Sequence, residues 1–353
     1  MIKGVRFPGR YLQGPGCITR LGREILGFGP RALVVLDGGV FERLRDTVAA
    51  AAGETDINLL RHGGECSEAE INRIRKEALA FGADVIVGIG GGKALDTTKA
   101  VADEVGKPVI VIPTIAASDA PCSALAVIYY EDGTVAYDRF LQRNPDLVLV
   151  DTEIIAKAPV RFLSAGIGDA LATYYEAESC RRSGAHNCLG MPGCGTAYVL
   201  ARACRDTIFE HGAAAIEECN RQYPGPAIEA VVEANILLSG IGFESGGVAA
   251  AHAVHHGLCE LDEVHHFLHG EKVAIGVLAG LKLQGDAEEF ERVRAFCRAV
   301  RLPTRLRDIG IEDASDEKLR RVAGRACRPD EIIHHEPMPV SVEQLTDALR
   351  QLQ

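Results

Sequence analysis

The sequence predicts an α/β N-terminal domain, built on a parallel sheet with flanking helices, followed by an all-α C-terminal domain. Three observations carry this. A chain of 353 residues exceeds what one hydrophobic core usually organises. The first half alternates short β-branched apolar runs with helical patterns, the rhythm of strands joined by helices on both faces of a sheet. After Pro159 strand signals nearly vanish, and long Ala- and Leu-rich helical patterns take over. The domains are therefore set at 1–159 and 160–353.

Taken in order, "RALVVLD" (Arg31–Asp37) is a short apolar run rich in β-branched residues and reads as a strand. "GGVFERLRDTVAAAAG" follows with helical periodicity, and "INLLRHG" reads as a second strand. "SEAEINRIRKEALAFG" opens on Ser67 with Glu70 three residues on, a capping-box signal for a helix. "ADVIVGIGGG" is a strand ending in glycines, "KALDTTKAVADEVG" a helix, and "KPVIVIPT" another strand. "ALAVIYYEDGTVAYD" has the form of a hairpin turning at Asp132-Gly133. "PDLVLVD" (Pro145–Asp151) is the last strand. Helices are then expected over Ala170–Arg182, Thr196–Ile216, Ala227–Ser239, Lys272–Gln284 and Ala287–Val300.

Composition removes several classes of function. A net charge of -11 argues against general nucleic-acid binding, which needs a basic face. No run of 18 apolar residues occurs, so no membrane span is expected. "MIKGVRFPGRYLQGPG" has neither an apolar signal core nor a small-residue cleavage site, and a cytoplasmic location is expected. The 11 cysteines are odd in number, scattered and without a C-x-x-C, so free thiols are expected. Cys180, Cys188 and Cys194 with His186 come nearest to a zinc cluster, but their spacing fits no common pattern, and packed thiols are the preferred reading.

Two stretches carry chemistry. "VIVGIGGGKALDTTK" (Val85–Lys99) ends a strand in Gly88, Gly90, Gly91 and Gly92 and starts a helix near Lys93. Glycines admit close backbone approach, and the helix N-terminus presents free N–H groups and a positive dipole end. The combination suits a diphosphate, although it matches neither G-x-G-x-x-G nor G-x-x-x-x-G-K-[ST]. Asp37, where the first strand ends, is by position alone either a turn aspartate or an acceptor for adenosine ribose hydroxyls. Beside the glycine loop the second reading gains, and it favours NAD over NADP.

The second stretch, Ala249–Glu271, holds six of the 11 histidines: His252, His255, His256, His265, His266 and His269. Histidines three or four apart on a helix share a face, as in His252/His255/His256 and His265/His269, and such spacing suits a metal. A polar histidine-rich surface loop is the competing reading. Asp169 opens an apolar helix, where a carboxylate either caps the helix or supplies an oxygen ligand.

"GGGKALDTTK", "PTIAASDAPCSALAVIY", "GIGDALATYYEA" and "AAAHAVHHGL…HHFLHGEKVA" together resemble the glycerol dehydrogenase family, of the iron-containing (group III) alcohol dehydrogenase superfamily. The likeness runs from the first strand to about residue 285. It implies NAD-dependent oxidation of a small polyol, glycerol or a related vicinal diol, in a homo-oligomer, often an octamer. It implies a metal held by Asp169, His252 and His269, with Asp119 beside the substrate. It implies NAD contacts at Asp37, Gly91, Gly92, Lys93, Thr114, Ser123, Leu125 and Tyr129; a further contact position falls on Ala117, which has no hydroxyl to offer. Iron-type members carry another histidine four residues after the aspartate, and here that position is Thr173. Three protein ligands with an open fourth position are the arrangement of a catalytic zinc, so Zn2+ is expected, with Fe2+ or Mn2+ as alternatives.

Rival readings share parts of this pattern. Glycerol-1-phosphate dehydrogenase and dehydroquinate synthase need basic residues near the metal, and around "GIGDALATYYEA" and "AAAHAVHHGL" there are none. A small 2-hydroxy or 2-keto acid oxidoreductase on the same frame stays open at this stage. A zinc-buffering protein would not need the glycine loop. Cys122, three residues after Asp119, is either a thiol whose alkylation blocks the site or an inert packed thiol; no activating charge is evident, which favours the second.

Overall fold

The structure, a computed structural model, describes residues 2–353. In chain order the α/β part comprises β1 (Tyr11–Gly14), α1 (Leu21–Leu26), β2 (Arg31–Leu36), α2 (Phe41–Ala52), β3 (Asp56–Arg61), α3 (Glu68–Phe81), β4 (Val85–Gly90), α4 (Gly92–Val105), β5 (Val109–Pro113), β6 (Leu125–Tyr129), β7 (Val135–Phe140) and β8 (Leu147–Asp151). Six of these strands form one parallel sheet, ordered β1-β8-β5-β4-β2-β3. Every residue of β4, β5 and β8 is buried, which is why they read as unbroken apolar runs: helices cover both faces. Leu21, Ile25 and Val48 pack one face against Val34, Leu36, Val87 and Ile89. Leu33, Val35, Ile71, Ile74, Ile86 and Val111 belong to the core on the other face, which continues into the helical part.

The chain leaves β2 for β3 at the edge and then returns past β2 to β4. The order reverses between β2 and β4, so their C-terminal ends bound a crevice, the usual ligand position in open α/β sheets. Asp37 follows one strand and Gly91 the other.

Local signals explain most element ends. The Glu70 amide donates to Ser67 Oγ at 3.3 Å, so the hydroxyl half of the expected capping box forms. The Glu70 carboxylate instead accepts from the Gly63 amide and from Arg73. The hairpin β6–β7 closes through Tyr130 N–H to Thr134 O at 2.9 Å, with Gly133 at φ 85°. This is a three-residue loop with glycine in the left-handed position, not a two-residue turn at Asp132-Gly133.

The helical part contains α5 (Thr152–Ala156), α6 (Val160–Ser183), α7 (Gly195–Asn220), α8 (Pro226–Glu233), α9 (Ser239–Gly246), α10 (Ala250–Leu258), α11 (His269–Gln284), α12 (Ala287–Ala299), α13 (Asp316–Ala326) and α14 (Val342–Arg350). Helix α6 begins ten residues before the expected Ala170, because the small residues of "SAGIG" serve close packing. A Cβ at Gly166 would lie 1.8 Å from Ala116 O, and one at Gly168 2.4 Å from Gly270 O. A π turn over Ala234–Leu238 joins α8 to α9. The run Pro226–Gly246 has the length and mean hydropathy, 1.3, of a membrane span, but 67% of that window is buried inside the protein. It is a core helix here.

The first residues do not stay with the sheet. Gly4 bridges to Gly193, and the Arg6 amide donates to Ser245 Oγ at 3.0 Å, so this segment straps onto the helical part before β1 begins.

Candidate metal and cofactor site

Three helices converge where the helical part faces the sheet. Asp169 lies in α6 and is 1% exposed, His252 lies in the first turn of α10, and His269 is the first residue of α11. Asp169 Oδ1 lies 3.0 Å from His269 Nε2 and 3.6 Å from His252 Nε2. Among the described residues this is the one group of His, Cys, Asp and Glu whose ligand atoms lie within 4.8 Å of one another. Cys180, Cys188, Cys194 and His186 form no such group.

The donor chemistry fits a cation. Asp169 Oδ1 is buried and accepts no well-formed hydrogen bond, while two imidazole nitrogens face it. The other nitrogen of each ring is already engaged: His252 Nδ1 with Glu176 Oε2 at 2.6 Å, and His269 Nδ1 with His255 Nε2 at 3.1 Å. Tying up Nδ1 leaves Nε2 available as a ligand atom. Burial alone would raise the Asp169 carboxyl, but His269 and His252 hold it well below the usual range.

Asp119 stands beside Asp169. Its amide donates to Asp169 Oδ2 at 3.2 Å, and its own Oδ2 accepts from Ser239 Oγ at 2.8 Å. Ser239 in turn bonds Thr173 at 2.7 Å. Thr173 therefore supports the Asp119 side of the site and contributes no nitrogen ligand. Burial, and then the neighbouring Asp169 charge, push the Asp119 carboxyl well above its ordinary value.

The remaining histidines separate. His255 backs His269, and burial pushes its imidazole far below the ordinary range. His256 Nδ1 pairs with Glu331 Oε2 at 3.1 Å. His265 does not share a helix face with His269: α11 starts only at His269, and His265 Nε2 bonds Cys259 O at 3.1 Å. His266 leans on Phe267, ring centroids 4.3 Å apart.

The crevice between β2 and β4 gathers most of the sequence-derived cofactor residues. Of the four glycines in the loop, two are packing residues. A Cβ at Gly88 would meet Thr98 at 2.6 Å, and one at Gly90 would meet Asp37 at 2.5 Å. Gly92 has nothing within 4 Å and faces open space, while a Cβ at Gly91 would press on the Ile115 side chain at 3.2 Å. Helix α4 has no side-chain cap, leaving its first amides available to an anion. Thr114 follows β5, its amide bonded to Gly90 O at 3.0 Å. Asp37 Oδ1 accepts from the Gly39 amide at 2.8 Å. Lys93 pairs with Glu65 at 2.6 Å and lies 4.7 Å over the Tyr129 ring.

Ser123 sits on the loop that also carries Asp119, Leu125 opens β6 directly after it, and an unexpected residue fixes this segment. Lys99, 1% exposed, donates to the carbonyls of Ala120 (2.8 Å), Ser123 (3.2 Å) and Leu125 (2.5 Å), and pairs with Asp96 at 2.9 Å. Sequence reasoning missed Lys99, Ser239 and Glu176. Only Glu176 had a local signal: it lies seven residues after Asp169, on the same face of α6. Cys122 is 1% exposed, and burial pushes its thiol far up, so the packed reading describes it.

Comparison with known proteins adds an independent line. The family model for iron-containing alcohol dehydrogenase matches residues 8–152. Glycerol dehydrogenase of Thermotoga maritima is 52% identical over 352 residues, 99% of this chain and 96% of the relative. Glycerol dehydrogenase of Pseudomonas putida is 47% identical, over 99% of this chain and 96% of that one. The crystal structure of a probable glycerol dehydrogenase from Sinorhizobium meliloti superposes with a TM-score of 0.94 at 44% identity, over 99% of this chain and 98% of that one.

Proposed function

Because the chain belongs to the iron-containing alcohol dehydrogenase family and, within it, to the glycerol dehydrogenases, we propose that it oxidises glycerol to dihydroxyacetone, and related vicinal diols to hydroxyketones. NAD is the hydride acceptor and zinc the metal. The observation that carries the reading is the buried Asp169 Oδ1, without a hydrogen-bond partner, facing the Nε2 atoms of His252 and His269.

Asp169, His252 and His269 would hold the ion, which when bound supplies a Lewis acid that brings a hydroxyl pKa down towards neutrality. One carboxylate and two imidazoles suit zinc, and Thr173 in place of a third histidine supports that choice over iron. NAD supplies the hydride-accepting ring. The protein's own groups orient and exchange protons. Ser239 occupies Asp119 Oδ2, which leaves Oδ1 to take a hydrogen bond or a proton from a substrate hydroxyl. The raised proton affinity of Asp119 suits that role. Gly91, Gly92 and the start of α4 receive the diphosphate, and Asp37 the adenosine ribose. The relatives favour a polyol over a 2-hydroxy acid. We further place the enzyme in the cytoplasm, as a homo-oligomer.

The test is NADH formation across glycerol, vicinal diols and 2-hydroxy acids, after chelation and again with zinc restored. Zinc-dependent turnover of glycerol or a diol is expected. Full activity after verified metal removal, or turnover of hydroxy acids alone, would overturn the assignment.

A further inference from the structure

We infer that Glu176 is the positioning residue that fixes both the backbone and the ring tautomer of His252, and so sets metal affinity. This rests on the metal site proposed above. Helix α10 begins without a cap of its own: the residue before it is Ala249, which has no polar side chain. The orphan amides are instead met from α6. Glu176 Oε1 accepts from the Ala249 amide at 2.9 Å and from the His252 amide at 2.9 Å. The same carboxylate's Oε2 faces His252 Nδ1 at 2.6 Å. Glu176 is 2% exposed and, among the described residues, forms no ion pair with a lysine or arginine. Its charge is met by those two amides, the positive end of α10 and the imidazole. A second acid supports the same helix start. Glu336 Oε1 accepts from the Ala250 amide at 3.2 Å, and its Oε2 is held by Ser179 and Gln284, so it never reaches the ring.

One carboxylate thus places the proton on Nδ1 and directs the Nε2 lone pair at Asp169. His269 has no equivalent support, because its Nδ1 meets an imidazole, His255, and not a carboxylate. Ligand basicity rises when the second ring nitrogen donates to a carboxylate, and loss of such a partner weakens metal binding by about ten- to a hundredfold. The two metal histidines are therefore unequal, and the Glu176–His252 arm dominates retention of the ion.

The test compares Glu176→Gln, Glu176→Asp and His252→Ala with the parent protein. Zinc affinity is read by competition with a chromophoric chelator, and coordination by the visible spectrum of the cobalt(II)-substituted form. NADH fluorescence on the metal-free protein reports folding of the cofactor side, uncomplicated by tryptophan, which the chain lacks. The amide oxygen of Glu176→Gln keeps an acceptor for the backbone amides but turns an NH2 group toward His252 Nδ1. Expected are zinc binding weaker by about ten- to a hundredfold, an altered cobalt spectrum, and unchanged NADH binding. Should Glu176→Gln fail to bind NADH, Glu176→Asp carries the same test with the carboxylate drawn back by one methylene. Parent-like zinc affinity and cobalt spectrum in the Glu176 variants, with both lost in His252→Ala, would overturn the role of Glu176 alone. Lowered thermal stability without weaker zinc binding would do the same. Parent-like zinc affinity in His252→Ala would overturn the metal site itself, and this inference with it.

Discussion

Replacing Gly270 by alanine should separate two of the three helices that carry the proposed metal ligands. Gly270 directly follows His269 at the start of α11, and Gly168 directly precedes Asp169 in α6. An alanine Cβ at 270 would lie 1.8 Å from Ala165 O, 2.7 Å from the Ala165 carbonyl carbon and 3.0 Å from the Asp169 amide. All three obstacles are backbone, so no side-chain rotation relieves them. Restoring even a 3.0 Å contact opens the α6–α11 approach by about 1.2 Å, on a site where Asp169 and His269 stand 3.0 Å apart. Overpacking of this kind costs about 1–3 kcal/mol, and a displacement of about 1 Å at a reacting centre costs about a hundredfold in rate. The assay is thermal unfolding with and without zinc, together with kcat/KM for glycerol. Gly270→Ala should lower the melting temperature, lose most of the zinc-induced stabilisation and lose about a hundredfold in kcat/KM. The control is Gly280→Ala in the same helix, where the new Cβ would meet Ala250 Cβ at an ordinary 3.6 Å. It should be neutral, or stabilising by about 0.5–1 kcal/mol. Parent-like stability and turnover in Gly270→Ala would refute the claim that close backbone approach builds the site.

Three further outcomes are expected. Asp37→Gly removes a carboxylate beside the proposed ribose position and should raise the NADP-to-NAD ratio of kcat/KM by about tenfold or more; an unchanged ratio would remove Asp37 from cofactor selection. Burial works to raise the Glu331 carboxyl, but hydrogen bonds from His256 and Arg325 outweigh it and hold the group at about 2, against an ordinary 4.5. A depressed carboxylate contributes stability above its unfolded value and loses it as pH falls through the folded one. The stability gap between the parent and Glu331→Gln should therefore be full above pH 4.5 and close towards pH 2, as read by urea unfolding. Cys122 should resist maleimide in the folded protein while exposed thiols react, as mapped by peptide mass spectrometry; its rapid labelling would contradict a packed, protonated thiol.

Local pattern sufficed wherever one short segment decides its own environment. β4, β5 and β8 are buried on both faces, and their composition says so. β1 did not stand out because it is a four-residue edge strand, half-buried throughout and paired only with β8. The glycine loop was legible as a turn into a helix, but sequence could not divide its glycines by role. Gly88 and Gly90 are excluded from carrying side chains by Thr98 and Asp37, Gly91 is crowded by Ile115, and only Gly92 has open space beside it. The first turns of α6 were hidden for a related reason: their glycines and small side chains lower helix propensity in exchange for helix–helix approach.

The site itself is a different case. Its ligands come from three helices, and the spacing of six histidines left several pairings open until family resemblance narrowed them to His252 and His269. What holds those ligands leaves even less trace in the sequence. Glu176 reaches across 76 residues to His252, and Lys99 reaches 21 to 26 residues to the carbonyls of the segment carrying Asp119, Ser123 and Leu125. That segment then touches the metal side through the Asp119 amide on Asp169. A buried lysine therefore connects the glycine-loop helix α4, through this segment, to Asp169. Charged groups are costly to bury unless paired: Lys99 is met by Asp96 and by three carbonyls of its own half, Glu176 by two amides and an imidazole of the helical half, and the Asp119 amide on Asp169 Oδ2 links the two halves. Lys99 fixes the loop on one side, Glu176 fixes His252 on the other, and the Asp119–Asp169 contact holds the glycine-loop crevice and the Asp169, His252 and His269 helices in register.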